Sequence, residues 1–323
     1  MCTAISFNVK YHYFGRNLDL EHSNNETVII TPRNFQIIMR EEKELVQHYA
    51  MIGIGIISNQ FPLYYDATNE YGLSMAGLNF PQYACYHPHI SGKHNIASFE
   101  LIPWILSQCK TIAEALRLLS SSNIVNIPFS NKYPPTPLHW LLADSSESIV
   151  LESTKDGLHI FKNPVGVLTN SPEFPYHINN LSNYMNLSPQ EAVNRLCPNI
   201  TLNAYSHGMG AFGLPGDLSS ASRFVRAVFT KINSRCELDE ESAISQFFQI
   251  LSAVSQTNGC VKVANQLEKT VYSNCCNTTK GIYYYKTYNN SQITAINMFH
   301  ENLDQSDLIS YKLHWKANIQ YDN

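Results

Sequence analysis

Residues 1–20 read MCTAISFNVKYHYFGRNLDL, and this stretch decides the fold. AISFNV and YHYFGRNL are rich in β-branched and aromatic residues, and the segment between them, near Val9 to Tyr11, suits a tight turn. The stretch therefore predicts an antiparallel hairpin at the start of the chain. Its second strand returns so that residues 16–19 lie beside residue 2, a cysteine preceded only by Met1 and followed by Thr3.

Further β-rich runs follow: TVIITPRNFQIIMR, YAMIGIGIIS and LYYDATNEYGLSMAGLNF. Together they predict a stack of antiparallel hairpins over the first eighty residues. From Ser98 to about Ser121 the spacing turns helical and predicts two helices in succession. Thr111 and Glu114 form a capping box there, and Ile112, Leu116 and Leu119 lie on one face. Strands return from His139 as HWLLAD, SIVLEST, GLHIFK and PVGVLTN. Residues 221–256 carry apolar residues at helical spacing, and KTVYSNCC, GIYYYKTY and SQITAINM close the chain as strands. Blocks in this order predict an α+β sandwich with sheets inside and helices outside. No repeat or Pro-Gly linker divides it, so one domain over residues 1–323 is expected.

Composition narrows the function. The 323 residues are 44% hydrophobic and 15% charged, with 19 Tyr and 15 Phe, as in a globular protein. Lys plus Arg number 22 against 26 Asp plus Glu, a net of −4. No basic run offers a counter-charge to a phosphate backbone, so a nucleic-acid partner is not expected. The first fifteen residues lack the features of a secretory leader, and no run reaches the roughly 18 to 20 apolar residues of a membrane span. A cytosolic, cytoplasmic protein is the expectation. Its eight cysteines (2, 85, 109, 197, 236, 260, 275 and 276) should then be free thiols. Cys275 and Cys276 are adjacent on a strand and should point to opposite faces.

Two apparent motifs fail on context. GMGAFG at 208–213 has the letters of a dinucleotide loop. It is preceded by polar NAYSH and followed by Leu214-Pro215-Gly216 instead of sitting between a strand and a helix. Cys85, His87 and His89 have no second ligand pair at the spacing of a structural zinc site, so a surface loop is expected there.

The chemistry concentrates on Cys2. An initiator Met before a small residue is commonly removed, which would place a thiol and a free α-amine on one residue. An α-amine with an ordinary pKa of about 7.7 to 8.0 can take the thiol proton and pass it to a leaving amine. The returning strand adds Arg16, whose fixed charge favours thiolate, and Asp19, which can hold the new amine. An ordinary Arg and Asp solvating a strand end is the bland alternative, and their joint placement opposite Cys2 favours the catalytic reading.

MCTAISF followed by FGRNLDL resembles the choloylglycine hydrolase family, which includes bile salt hydrolases and penicillin V acylases. The resemblance continues through ITPRNF (30–35), PLYYDATNEYGLSMAGLNF (62–80), PLHWLLAD (137–144), NPVGVLTNSPEF (163–174), GLPGDLSSASRFVRA (213–227) and SQITAINM (291–298). It implies the four-layer αββα fold of N-terminal-nucleophile hydrolases, with Cys2 as nucleophile and Arg16 and Asp19 beside it. It further implies an oxyanion hole from the Asn170 side-chain amide and the Asn79 backbone N–H, with Arg223 supporting the charge balance. Cleavage of an amide through an acyl thioester would need no metal or organic cofactor. The resemblance points to Leu20, Phe61 and the loop from Phe129 to Pro135 as an apolar acyl pocket. It also implies a homotetramer, with residues 188–215 as the place to look for the contact. Leu20 and the Asn79 of AGLNF resemble the bile-salt branch, so conjugated bile salts are the expected small-molecule substrate. Penicillin V acylase activity and a non-catalytic apolar binding module are the alternatives.

Overall fold

The computed structural model describes residues 1–323. The opening hairpin forms as Cys2–Asn8 and His12–Leu20, and it lies near the middle of a seven-stranded sheet. Across that sheet the order is Val167–Leu168, Cys2–Asn8, His12–Leu20, Gln266–Asn277, Ile282–Thr287 and Asn290–Asn297. Val261–Val263 pairs separately onto Gln266–Asn277. The second sheet has eight strands: Gly157–Lys162, Ser148–Thr154, Leu138–Ala143, Ser74–Asn79, Phe61–Asn69, Met51–Ser58, Thr27–Thr31 and Ile309–Lys312. All of these ladders are antiparallel.

The two-residue period of the strands sorts side chains into layers. Cys2, Ala4, Phe14 and Leu18 point between the sheets, where they meet Ala76, Leu78 and Leu141 of the second sheet. Ile5, Phe7 and Tyr13 point the other way, onto Ile244, Phe247, Phe248 and Leu251 of the Glu240–Ser252 helix. Cys275 joins the helix-side layer and Cys276 the inter-sheet layer, as their adjacency requires. The helices Leu101–Leu106 and Ile112–Leu119 cover the outer face of the second sheet. The layers are thus helix, sheet, sheet, helix, the αββα arrangement expected above. No helix is long and apolar enough to cross a membrane.

Thr111 caps its helix by accepting from the Glu114 N–H. The return bond of the box goes to Lys110 N, at 2.7 Å. Leu116 is half-buried, and Ala115 joins Ile112 and Leu119 in the core instead. The long run TVIITPRNFQIIMR ends its strand at Thr31, because Pro32 opens a turn closed by Phe35 N on Pro32 O at 3.1 Å. A short parallel pair, His94–Ala97 with Ser122–Val125, and the Phe174–Asn180 helix were not legible from periodicity, being too short to repeat. The GMGAFG segment contains a single 3-10 turn, Met209–Ala211.

Candidate active site

Antiparallel pairing fixes the position of Cys2: it lies opposite Leu18, with Thr3 opposite Asn17 and Ala4 opposite Arg16. Arg16 therefore shares the inter-sheet face with the Cys2 side chain, one pair along the ladder. Its guanidinium is fully buried and spans the sheets. Nη1 donates to Gly77 O at 2.6 Å and to Tyr65 O at 3.0 Å, and Nη2 has no hydrogen-bond partner. Burial opposes its charge, but Cys2, Tyr272, Asp66 and Asp19 together outweigh that and hold Arg16 above its ordinary pKa.

The backbone of Cys2 is held from the other side. Cys2 N donates to Asn170 Oδ1 at 2.7 Å. Arg223, buried on the Ser220–Asn233 helix, donates from Nη1 to Cys2 O at 2.6 Å and to Thr3 Oγ1 at 2.7 Å, and from Nη2 to Asn170 Oδ1 at 2.7 Å. That helix begins at Ser219, whose side chain accepts from Ser222 N, and Arg223 lies in its first turns. Asp19 is fully buried, accepts from Thr270 Oγ1 at 2.6 Å and has its second oxygen 3.9 Å from Arg223 Nη1. Burial pushes the Asp19 carboxyl up and the Arg223 guanidinium down, so desolvation exceeds their mutual attraction at that separation.

Met1 continues the first strand past Cys2. Its carbonyl accepts from Asp19 N at 2.9 Å, and its ammonium donates to Asp19 O at 2.8 Å and pairs with the buried carboxylate of Glu268. Cys2 is only 3% exposed beneath it. With Met1 in place the nitrogen of Cys2 is an amide. The same position on a processed chain is an α-amine facing Asn170 Oδ1.

Asn170 and Asn79 also meet, though not only as donors. Asn170 Nδ2 donates to the Asn79 carbonyl at 2.8 Å, which leaves one of its two N–H groups uncommitted. The Asn170 backbone is pinned by Ser220 Oγ at 2.8 Å and by His177 Nε2 on its carbonyl at 2.8 Å. Burial depresses His177 to about 4, so it is neutral and donates from Nε2.

The expected acyl-pocket residues divide. Leu20 packs against the inter-sheet cluster that contains Cys2. Phe61 and Phe129 lie in the neighbouring cluster, with ring centroids 5.7 Å apart, and line a cleft of about 180 Å³ with Phe99, Ile38, Arg40 and Asn59. Tyr65 borders both clusters. Pro135 is half-buried and does not line that cleft. A separate cleft of about 530 Å³ lies at the Ser6–Asn8 end of the first strand, away from Cys2. Sequence reasoning missed Thr270, Glu268, Thr3 and Ser220, for which no spacing in the chain gives a signal.

Residues 2–311 match the family described as linear amide C–N hydrolases, choloylglycine hydrolase family. The bile salt hydrolase/transferase of Lactiplantibacillus plantarum is 51% identical over 322 residues, covering 99% of each chain. That of Clostridium perfringens is 40% identical over 330 residues, covering both chains fully. A crystal structure of conjugated bile acid hydrolase from Clostridium perfringens superposes with a TM-score of 0.93 at 39% identity over the whole of both chains. Penicillin V acylase from Agrobacterium tumefaciens shares the fold, with a TM-score of 0.77 at 17% identity over 98% of this chain and 94% of that one. The fold, its two antiparallel sheets and the match along nearly all of its length make this chain an amidohydrolase of the N-terminal-nucleophile type, and it belongs to the choloylglycine hydrolase family.

Proposed function

We propose that this protein hydrolyses the amide bond of glycine- and taurine-conjugated bile salts, with Cys2 of the Met1-processed chain as nucleophile. The observation that carries the reading is the convergence on residue 2. Asn170 Oδ1 takes its nitrogen, Arg223 takes its carbonyl, and Arg16 shares the face of its side chain. The names of the relatives supply the substrate class.

In this mechanism the α-amine of Cys2 receives the thiol proton, and the thiolate attacks the amide carbonyl. The uncommitted N–H of Asn170 and the backbone N–H of Asn79 stabilise the oxyanion, and losing one such donor typically costs on the order of 10² to 10³ in rate. The α-ammonium then gives its proton to the leaving amine, and glycine or taurine departs. Water attacks the thioester, releasing the bile acid and regenerating the thiol. An amine in place of water would give acyl transfer from the same thioester. Asp19 and Arg223 balance the charge of the α-amine, Arg16 that of the sulfur, and no metal or organic cofactor enters.

The bile-acid body is assigned to apolar surface beginning at Leu20 and extending toward Phe61, Phe129 and Pro135. A steroid that buries a few hundred Å² there gains several kcal/mol at about 25 cal/mol per Å². We assign residues 1–323 to one catalytic domain and the assembly to a homotetramer. A side-by-side assay tests the substrate: kcat/KM for glycocholate and taurocholate should exceed that for penicillin V at least about tenfold, a difference of roughly 1.4 kcal/mol. Equal or faster cleavage of penicillin V would move the protein to the acylase branch and leave the Cys2 chemistry intact.

A further inference from the structure

Asp66 lies in the 62–80 stretch that carries part of the family resemblance, yet the reaction above does not use it. Its side chain is buried on the Phe61–Asn69 strand and reaches across the inter-sheet layer. Oδ1 accepts from Asn274 Nδ2 at 2.6 Å and from the Tyr283 hydroxyl, and Oδ2 accepts from the Tyr272 hydroxyl at 3.0 Å. Neither tyrosine hydroxyl has another acceptor, so the carboxyl must take both and suits the ionised form. Burial holds Asp66 above its ordinary pKa, and the Arg16 charge and the hydrogen bonds from Tyr283, Tyr272 and Asn274 offset only part of that rise.

Arg16 is tied to this group in two ways. Its side chain bonds only to neutral carbonyls, of Asn17, Tyr65 and Gly77, and no carboxylate comes within 4.0 Å, so Asp66 acts on it through space. Its backbone N–H donates to Asn274 Oδ1 at 2.6 Å, and the Nδ2 of the same amide holds Asp66. The approach needs glycine at position 15, where a Cβ would stand 2.1 Å from Asn274 O.

The charged and titratable groups around the Cys2 sulfur come from every packed element. Arg16 and Asp19 lie on the adjacent strand, Arg223 on the helix, and Glu268, Tyr272 and Cys276 on Gln266–Asn277. Asp66 stands across the sheets, Tyr283 on Ile282–Thr287, and the α-amine belongs to residue 2 itself. Arg16 is the cation on the face of the thiol, and Asp66 competes with that thiol for its field.

We propose that Asp66 is a positioning residue for amide cleavage: through Asn274 it fixes the Arg16 backbone, and by its charge it divides the field of Arg16 between itself and the Cys2 sulfur. The division matters because a thiol of very low pKa is a weaker nucleophile, and the best attacking thiol titrates near the working pH. The inference rests on Cys2 being the nucleophile.

The test follows inactivation of the processed enzyme by iodoacetamide from about pH 4 to about pH 10, with the alkylated cysteine identified by peptide mass, alongside kcat and KM. Asp66→Asn should move the midpoint down by about half a pH unit or more, roughly threefold more thiolate at a fixed pH below it. The same variant should lower kcat about tenfold with KM within about threefold, as expected for an interaction serving the transition state. Tyr272→Phe, which weakens the carboxylate, should shift the midpoint the same way by less, and it decides the matter if Asp66→Asn does not fold. An unmoved midpoint in the folded variants, with or without a fall in kcat, would overturn the proposal and leave Asp66 a structural residue. Loss of turnover that tracks a cysteine other than Cys2 would instead overturn the nucleophile assignment, and this inference with it.

Discussion

The nitrogen of Cys2 donates to Asn170 Oδ1 across 2.7 Å, joining two residues 168 positions apart, and Arg223 Nη2 holds the same oxygen at 2.7 Å. Asn170 thus faces the Cys2 nitrogen with its oxygen and the Asn79 carbonyl with its nitrogen. Asn170→Ala should lower kcat by on the order of 10² to 10³ while KM stays within a few-fold. Asn170→Asp separates the two jobs, since it keeps an oxygen for the amine and loses the donor. If Asn170→Asp turned over at the wild-type rate, the oxyanion role would be wrong and the amine-holding role would remain.

Because Met1 caps Cys2 and engages Asp19 and Glu268, the active form should lack it. Intact mass of a fully active sample should correspond to residues 2–323. Cys2→Ala should retain the fold and lose turnover, and Cys2→Ser should be strongly impaired, a hydroxyl being a far poorer nucleophile near neutral pH. Full activity at the mass of residues 1–323 would rule out the α-amine as base.

His12 sits between Ser6 Oγ at 2.9 Å and Thr278 Oγ1 at 2.8 Å, and burial lowers its pKa from 6.5 to about 4. The unfolded chain therefore binds the proton first, and stability falls as pH drops from 6.5 toward 4. At about pH 4.5 this ring alone should cost between about 2 and 3 kcal/mol relative to neutral pH. His12→Gln removes the titration, so its urea midpoint should fall less between about pH 7 and pH 4.5 than that of the wild type. Parallel declines in the two proteins would show that His12 does not contribute.

The segment around residues 185–212 exposes large apolar side chains, among them Met185 (84%), Leu196 (88%), Tyr205 (81%) and Phe212 (73%). Exposed apolar area of this kind is where the proposed homotetramer would make its contact. Leu196→Asp with Tyr205→Ser should convert a tetramer to smaller species by sedimentation velocity. A change of this kind should leave the Cys2 hydrogen bonds untouched, and an unaltered sedimentation coefficient would remove this segment from the assembly.

The sequence by itself determined the block order of strands and helices, the opening hairpin, and the return that brings residues 16–19 beside residue 2, where the structure pairs Cys2 with Leu18. Those features are local: a two-residue period, a turn and a short return are written in consecutive residues. It also supplied Arg16 and Asp19, which that hairpin carries. Motif resemblance, not periodicity, supplied Asn79, Asn170 and Arg223. What only the tertiary structure decided are the partners brought from elsewhere in the chain. Thr270 reaches Asp19, Glu268 pairs with Met1, Asn274 links Asp66 to Arg16, and Asn170 commits one N–H to Asn79. These contacts depend on which distant strand pairs beside the opening hairpin, on how the two sheets face each other, and on which buried polar atom lies within about 3 Å of another. No spacing along one strand encodes such a distance, because each depends on the packing of residues up to 267 positions apart.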